Sequence, residues 1–376
     1  MEKIRYQLSP LKILQSHADL ATLHLNPPPP PFAKGGRGDF RAAFQRVRVV
    51  CFNKLKGYKI RFFKPYWILT LAVFLFLLLP AYTGHCQAKL KVVASIFPLY
   101  EFAREVGGDR SEVTLLLPPG AEAHSWEPKP GDIAKISKAD VFIYLGASME
   151  PWVDKVLKAT RGKGLRVVEA SHGLNLLEAE HHEKEHGKAG PSRGHSHGED
   201  LDPHIWLDFH LDLMIVEAIA HAFAEKDPAH KETYQKNSER YQARLKGLDQ
   251  KYRASLSNCR HRKLILGGHA AFAYLAKRYD LEQISLSGVS PNAEPTPKRM
   301  AEVIEVTRKA GSRYVFSEEM VNKKLAQALA REAGVSVLIL NPGANLTRDQ
   351  AKEKLTFIDL MENNLANLRK GLECKD

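Results

Sequence analysis

Three histidines stand beside turn signals, each next to a bulky aromatic. His124 lies in PPGAEAHSWEP, His204 in DPHIWLD and His269 in GGHAAF. The carboxylates Glu318 and Glu319 close the run YVFSEE. Three neutral imidazoles and one carboxylate suit a four-coordinate zinc site, with His nitrogen at about 2.0–2.1 Å from the ion. Such ligands must be deprotonated, so affinity would fall in acid. Asp202 or Asp208 could orient His204 through its second ring nitrogen. Taken singly, each histidine reads more readily as a structural loop or core residue. Three at matching positions weaken that reading, but their convergence in space is not written in the sequence.

A second histidine group is of a different kind. His181, His182, His186, His195 and His197 fall within the tract HHEKEHGKAGPSRGHSHGED. It has almost no apolar residues, which predicts a polar, mobile segment and loose metal binding with changing ligands. His182 to His186 also match HExxH, but that protease motif needs an amphipathic helix, and no apolar face exists here. The chain has no GxxxxGK phosphate loop, no GxSxG elbow and no GxGxxG after a strand. Cys259 and Cys374 are free to pair in an oxidising compartment, although sequence leaves their separation open.

The elements that must position the three histidines alternate. Apolar runs at Leu90–Phe97, Val113–Gly120, Asp140–Gly146 and Leu165–Ser171 read as strands, with helical patterns between them. After a polar stretch, Glu178–Asp202, comes an amphipathic helix. A second helix opens at Asp227-Pro228 and runs to about Ser257, roughly 45 Å at 1.5 Å per residue. The alternation then restarts with KLILGGH, LEQISLSG, YVFSEE and VSVLILNPG as strands, and a final helix is expected from Arg348 to Leu372. Strand–helix alternation predicts parallel sheets. The expected fold class is therefore α/β: two parallel-sheet lobes joined by a long rigid helix. Ligands of such folds sit at the carboxyl ends of strands and in clefts between lobes.

The 376 residues carry a net charge of +12, which by itself suggests nucleic acid or a membrane surface. The excess is local. Residues 1–64 hold 13 Lys/Arg against 3 Asp/Glu, and residues 65–376 hold 42 against 40. The body is nearly neutral, which removes the case for a nucleic-acid partner. Residues 65–80 are almost purely apolar, follow Lys59, Arg61 and Lys64, and lead into AYTGHCQA. That order reads as a signal peptide over 59–88, cut after Ala88, and it is short for a spanning helix. Cys86 invites a lipid anchor, but Thr83, Gly84 and His85 fit the usual lipobox poorly. Residues 1–58, with NPPPPP and GGRGD, read as a disordered or mis-called extension. The expected organisation is a first lobe over 89–226, with the His-rich loop at 178–202. A linking helix follows over 227–258, and a second lobe over 259–376.

From Leu90 onward the chain resembles the metal-binding solute-binding proteins of ABC importers, in their zinc branch. The resemblance rests on ASIFPLYEFAREVGGD, LLLPPGAEAHSWEPKPGDI, ADVFIYLGASMEPW, DPHIWLD, GGHAAFAYLAKRY and YVFSEE, in that order. It implies a metal site in the interlobe cleft, with His124, His204 and His269 as ligands. Glu318 matches the acidic fourth ligand of some zinc members, where others use water. Manganese relatives commonly carry Glu at the place of His269 and Asp near Asn322, so the departures point to Zn²⁺. The His-rich insertion is also typical of that branch. The implied role is capture of Zn²⁺ in the periplasm and delivery to an inner-membrane ABC permease, by a monomer that catalyses no reaction. A manganese or iron importer component, a zinc hydrolase with an open fourth position, and an adhesin or zinc buffer are the rival readings.

Overall fold

The computed structural model describes residues 88–160, 164–179, 201–320 and 323–375. The leader, the extension and the His-rich tract lie outside them, apart from the tract's flanks. Strand β1 (Leu90–Ala94) leads into helix α1 (Phe97–Gly107), which has Pro98 in its first turn. Then come β2 (Ser111–Leu115), α2 (Pro130–Ser137), β3 (Val141–Tyr144), α3 (Val153–Thr160) and β4 (Arg166–Glu169). All pairings are parallel, in the order β2-β1-β3-β4, with Leu90 opposite Ser111 and Val141 opposite Arg166. The sheet is buried on both sides. Val92, Val141 and Ile143 face the main core, while Val93, Phe142 and Leu116 face a smaller cluster with Ile136 and Val153. This is the period-2 alternation of a strand.

Helices α4 (Phe209–Lys226) and α5 (Lys231–Leu256) follow and pack along each other. Most of α5 is polar. It is held by a stripe of buried residues at helical spacing: Tyr234, Ser238, Tyr241, Leu245, Leu248, Tyr252 and Leu256. Its 26 residues give a rod of about 39 Å. The second lobe repeats the first: β5 (Lys263–Leu266), α6 (Ala273–Arg278), β6 (Glu282–Ser285), α7 (Pro297–Ala310), β7 (Tyr314–Ser317), α8 (Lys323–Ala333) and β8 (Ser336–Ile339). Its strand order, β6-β5-β7-β8, matches that of the first sheet.

Two local expectations need correction. The second strand, expected to reach Gly120, stops at Leu115, because Pro118 and Pro119 cannot donate to a ladder. The residues so released form the loop that carries His124. The final helix is two helices, α9 (Arg348–Glu353) and α10 (Phe357–Gly371). Lys354 takes a left-handed conformation, φ 56°, and Thr356 restarts the helix. Thr356 Oγ1 accepts from the Asp359 amide while the Asp359 carboxylate accepts from that of Thr356.

Cys259 and Cys374 form a disulfide that closes almost the whole second lobe. Among the described residues no helix is long and apolar enough to cross a membrane.

Candidate metal centre

The sheets' carboxyl edges bring the three histidines together. His124 rides on the loop after β2, His269 follows β5 by three residues, and His204 precedes the short 3₁₀ turn Ile205–Leu207. The Nε2 atom of His204 lies 3.2 Å from that of His124 and 3.2 Å from that of His269. One ring nitrogen from each falls within 4.8 Å of the other two. Tetrahedral zinc with nitrogen at 2.0–2.1 Å needs nitrogen pairs about 3.3 Å apart. The two pairs that share His204 have the spacing a zinc ion requires.

The other ring nitrogens explain the orientation. His204 donates Nδ1–H to Asp202 Oδ1 at 2.8 Å, and the same oxygen takes the His204 backbone amide at 2.9 Å. His269 donates Nδ1–H to Glu318 Oε1 at 2.6 Å. Each bond leaves the Nε2 lone pair facing the cavity. Gly268 makes room for this arrangement, since a Cβ there would stand 2.6 Å from Glu318 Oε1. His124 is fixed through its loop: Glu122 accepts from the His124 amide and, by its other oxygen, from the amide and hydroxyl of Ser125, all at 2.9 Å. Burial pushes the His124 imidazole well below the usual histidine range, and His204 and His269 push it the same way. It is held neutral, the form that binds metal.

His204, His269, Asp202 and Glu318 are 1%, 4%, 1% and 5% exposed. Three imidazoles and two buried carboxylates converge here, a setting that a divalent cation would suit. An unbalanced buried charge is costly. The cavity is walled by both lobes, with Glu122, Met320, Asn341 and Pro342 beside the histidines.

The four expected ligands and their neighbouring carboxylates each have a place. His124, His204 and His269 converge. Of the two aspartates offered for His204, Asp202 takes the role. Asp208 instead caps α4 by accepting from His210 N and pairs with Arg278 at 2.9 Å. Glu318 lines the same cavity, but its Oε1 rests on the far side of the His269 ring. Glu318 is not in the group whose ligand atoms all lie within 4.8 Å of one another, which is the three histidines. Glu319 turns away and accepts from Asn341 Nδ2 and Gln350 Nε2. His181, His182, His186, His195 and His197 lie outside the described residues. Sequence reading missed Glu122, whose signal was its place two and three residues before His124 and Ser125. It also missed Trp206, which is fully buried and donates Nε1–H to Pro342 O at 2.6 Å.

Comparison with known proteins gives consistent matches. The family described as ZnuA, zinc-uptake complex component A, periplasmic, matches residues 92–371. The chain is 37% identical over 298 residues to the zinc-binding lipoprotein AdcA of Streptococcus pneumoniae, covering 78% of this chain and 58% of that protein. It therefore spans about three fifths of that relative's length. It is 37% identical over 288 residues to the high-affinity zinc uptake system protein ZnuA of Bacillus subtilis, covering 76% of this chain and 89% of that one. The crystal structure of the Zn(II)-bound ZnuA-like domain of S. pneumoniae AdcA aligns with TM-score 0.64 at 35% identity, over 76% of this chain and 100% of that domain.

Proposed function

The chain belongs to the ZnuA family of periplasmic zinc-uptake components, and from that premise we propose that it captures Zn²⁺ outside the inner membrane and delivers it to an ABC permease. The observation that carries this reading is the convergence of three Nε2 atoms, two of them backed by buried carboxylates. The donor set favours zinc over manganese, because imidazole suits zinc while carboxylate and water suit the harder ion.

In this reading His124, His204 and His269 hold the ion, and Glu318 supplies the fourth ligand. To do so it exchanges its bond to His269 for the metal, by a side-chain rotation within a cavity it already lines. Closing the fourth position leaves no metal-bound water to activate, so the protein binds and releases without catalysing a reaction. Asp202 stays on His204 throughout.

Residues 59–88 direct export, without a lipid on Cys86, and the two lobes over 89–226 and 259–376 work as a monomer around the helix at 227–258. The permease draws zinc out by favouring a conformation with weaker metal affinity, since a partner shifts an equilibrium only by differential affinity. The His-rich tract holds further zinc weakly.

The test is metal titration of the purified, untagged protein by native mass spectrometry and calorimetry, beside His204→Ala. One tight zinc per chain, lost in the variant, is the expected result, with weaker sites from the tract surviving. Tight manganese with no tight zinc would overturn the specificity, and unchanged tight zinc in the variant would overturn the site.

A further inference from the structure

The stretch between β8 and α9 has no regular secondary structure, yet it is where the lobes are bonded around the cavity. It belongs to the second lobe. Leu340 N donates to Ser317 O, and Asn364 both donates to Asn341 O and accepts from Asn341 N. From that base the chain reaches across to the first lobe at several points. Pro342 O accepts from Trp206 Nε1, two residues past His204. Ala344 O accepts from Phe97 N at the start of α1, at 3.0 Å. Leu346 O accepts from Gly120 N at 2.8 Å. Asn345, fully buried, donates both Nδ2 hydrogens, one to Pro118 O and one to Ala121 O, each at 2.8 Å. Its own Oδ1 is held by Leu346 N at 2.8 Å.

Pro118, Gly120 and Ala121 form the turn that delivers His124. Three of these bonds therefore grip the His124 loop from the opposite lobe. The Trp206 bond grips the flank of His204, and Asn341 and Gln350 hold Glu319 next to Glu318. Asn341, Pro342 and Ala344 are also part of the cavity wall.

Resting on the zinc-capture reading, we propose that residues 341–346 are an interlobe clasp that sets how fast the metal leaves, and that Asn345 is the positioning residue through which it holds His124. A bond from one lobe to the loop of the other resists the separation that frees the ion. The two Asn345 donors are the only side-chain hydrogen bonds among the described residues that span from this stretch to the His124 turn. Without them, Ala121 O loses its side-chain donor, Pro118 O keeps only the Ala121 amide at 3.0 Å, and the Gly120–Leu346 bond is left to tie this turn to the second lobe.

The experiment follows zinc leaving the full protein into excess chelator by stopped flow, for wild type, Asn345→Ala and Asn367→Ala. Asn367 donates to Ile339 O inside the second lobe and touches no first-lobe residue through that bond. It is the control for a lobe weakened without the clasp being opened. The expected result is release about 10–100-fold faster in Asn345→Ala, the range typical for groups that orient a metal ligand. Association should change little, and release from Asn367→Ala should match wild type. In the metal-free proteins, amide exchange across residues 118–126 should quicken in Asn345→Ala and stay unchanged in β1 and β3. Unaltered release from Asn345→Ala, or equal acceleration in both variants, would overturn the clasp. A wild type that binds no zinc would sink the zinc reading instead, and the exchange measurement would still decide whether Asn345 holds the His124 loop.

Discussion

Asp202 and Asp212 are ten residues apart, both fully buried, and have opposite circumstances. Asp202 is satisfied by the Nδ1–H and amide of His204. Asp212, inside α4, has no hydrogen-bond partner on either carboxylate oxygen. Burial raises its carboxyl well above the ordinary aspartate range; nearby Asp208 pushes the same way, and Arg278 only partly opposes it. A group whose folded pKa is raised contributes stability that is fully present below its unfolded value, about 3.9, and lost as pH rises through the folded value. The native state retains the proton that the unfolded chain gives up. Stability should therefore decline as pH rises above about 4, and Asp212→Ala should flatten that decline. At neutral pH the variant should be more stable by about 1–3 kcal/mol, since it removes a buried group without a partner. Urea midpoints at several pH values would check this, and a variant less stable than wild type at pH 7.5 would refute it.

At the scale of elements, the break between α9 and α10 governs how the chain's end seats on both lobes. Phe357, Leu360 and Met361 of α10 are buried, and Phe357 meets Phe102 of α1 edge to face at 5.3 Å. Phe357 N also donates to Glu101 across the lobes, at 3.3 Å. This contact needs α10 to start at Phe357, and the Thr356 cap sets that start. Thr356→Ala should cost about 0.5–2 kcal/mol, and Thr356→Asn should restore most of it, because asparagine caps as well as threonine. Thermal melting of the two variants would measure this. Equal loss in both would mean that the hydroxyl acts by packing rather than as a cap.

For the whole molecule, the disulfide and the metal centre occupy opposite edges of the second sheet. Cys259 stands before β5 and His269 after it. The cross-link spans 115 residues, and removing a closure of that length gives the unfolded chain back about 4–5 kcal/mol of entropy in the loop-closure picture. Cys259→Ser with Cys374→Ser should lower the denaturant midpoint accordingly and leave zinc stoichiometry unchanged. A variant that keeps its midpoint would show that the bond does not constrain the unfolded state. One that loses zinc would show that the two edges of the sheet are coupled.

The sequence by itself determined the alternation of strands and helices, the long polar helix with its buried stripe, and the three histidines that follow strands or turns. Periodicity, proline and glycine act on near neighbours, so they are legible along the chain. Tertiary structure decided the rest. Asp202, not Asp208, serves His204, although both were within reach along the chain. Glu318 lies on the Nδ1 of His269, 49 residues earlier. Asn345 grips carbonyls more than 220 residues before it. Cys259 finds Cys374, and the final helix breaks at Lys354 so that Phe357 can reach the first lobe. These pairings are set by distances through space once two similar lobes meet along α4 and α5, and a short hydrogen bond between remote residues leaves no periodic trace in either segment.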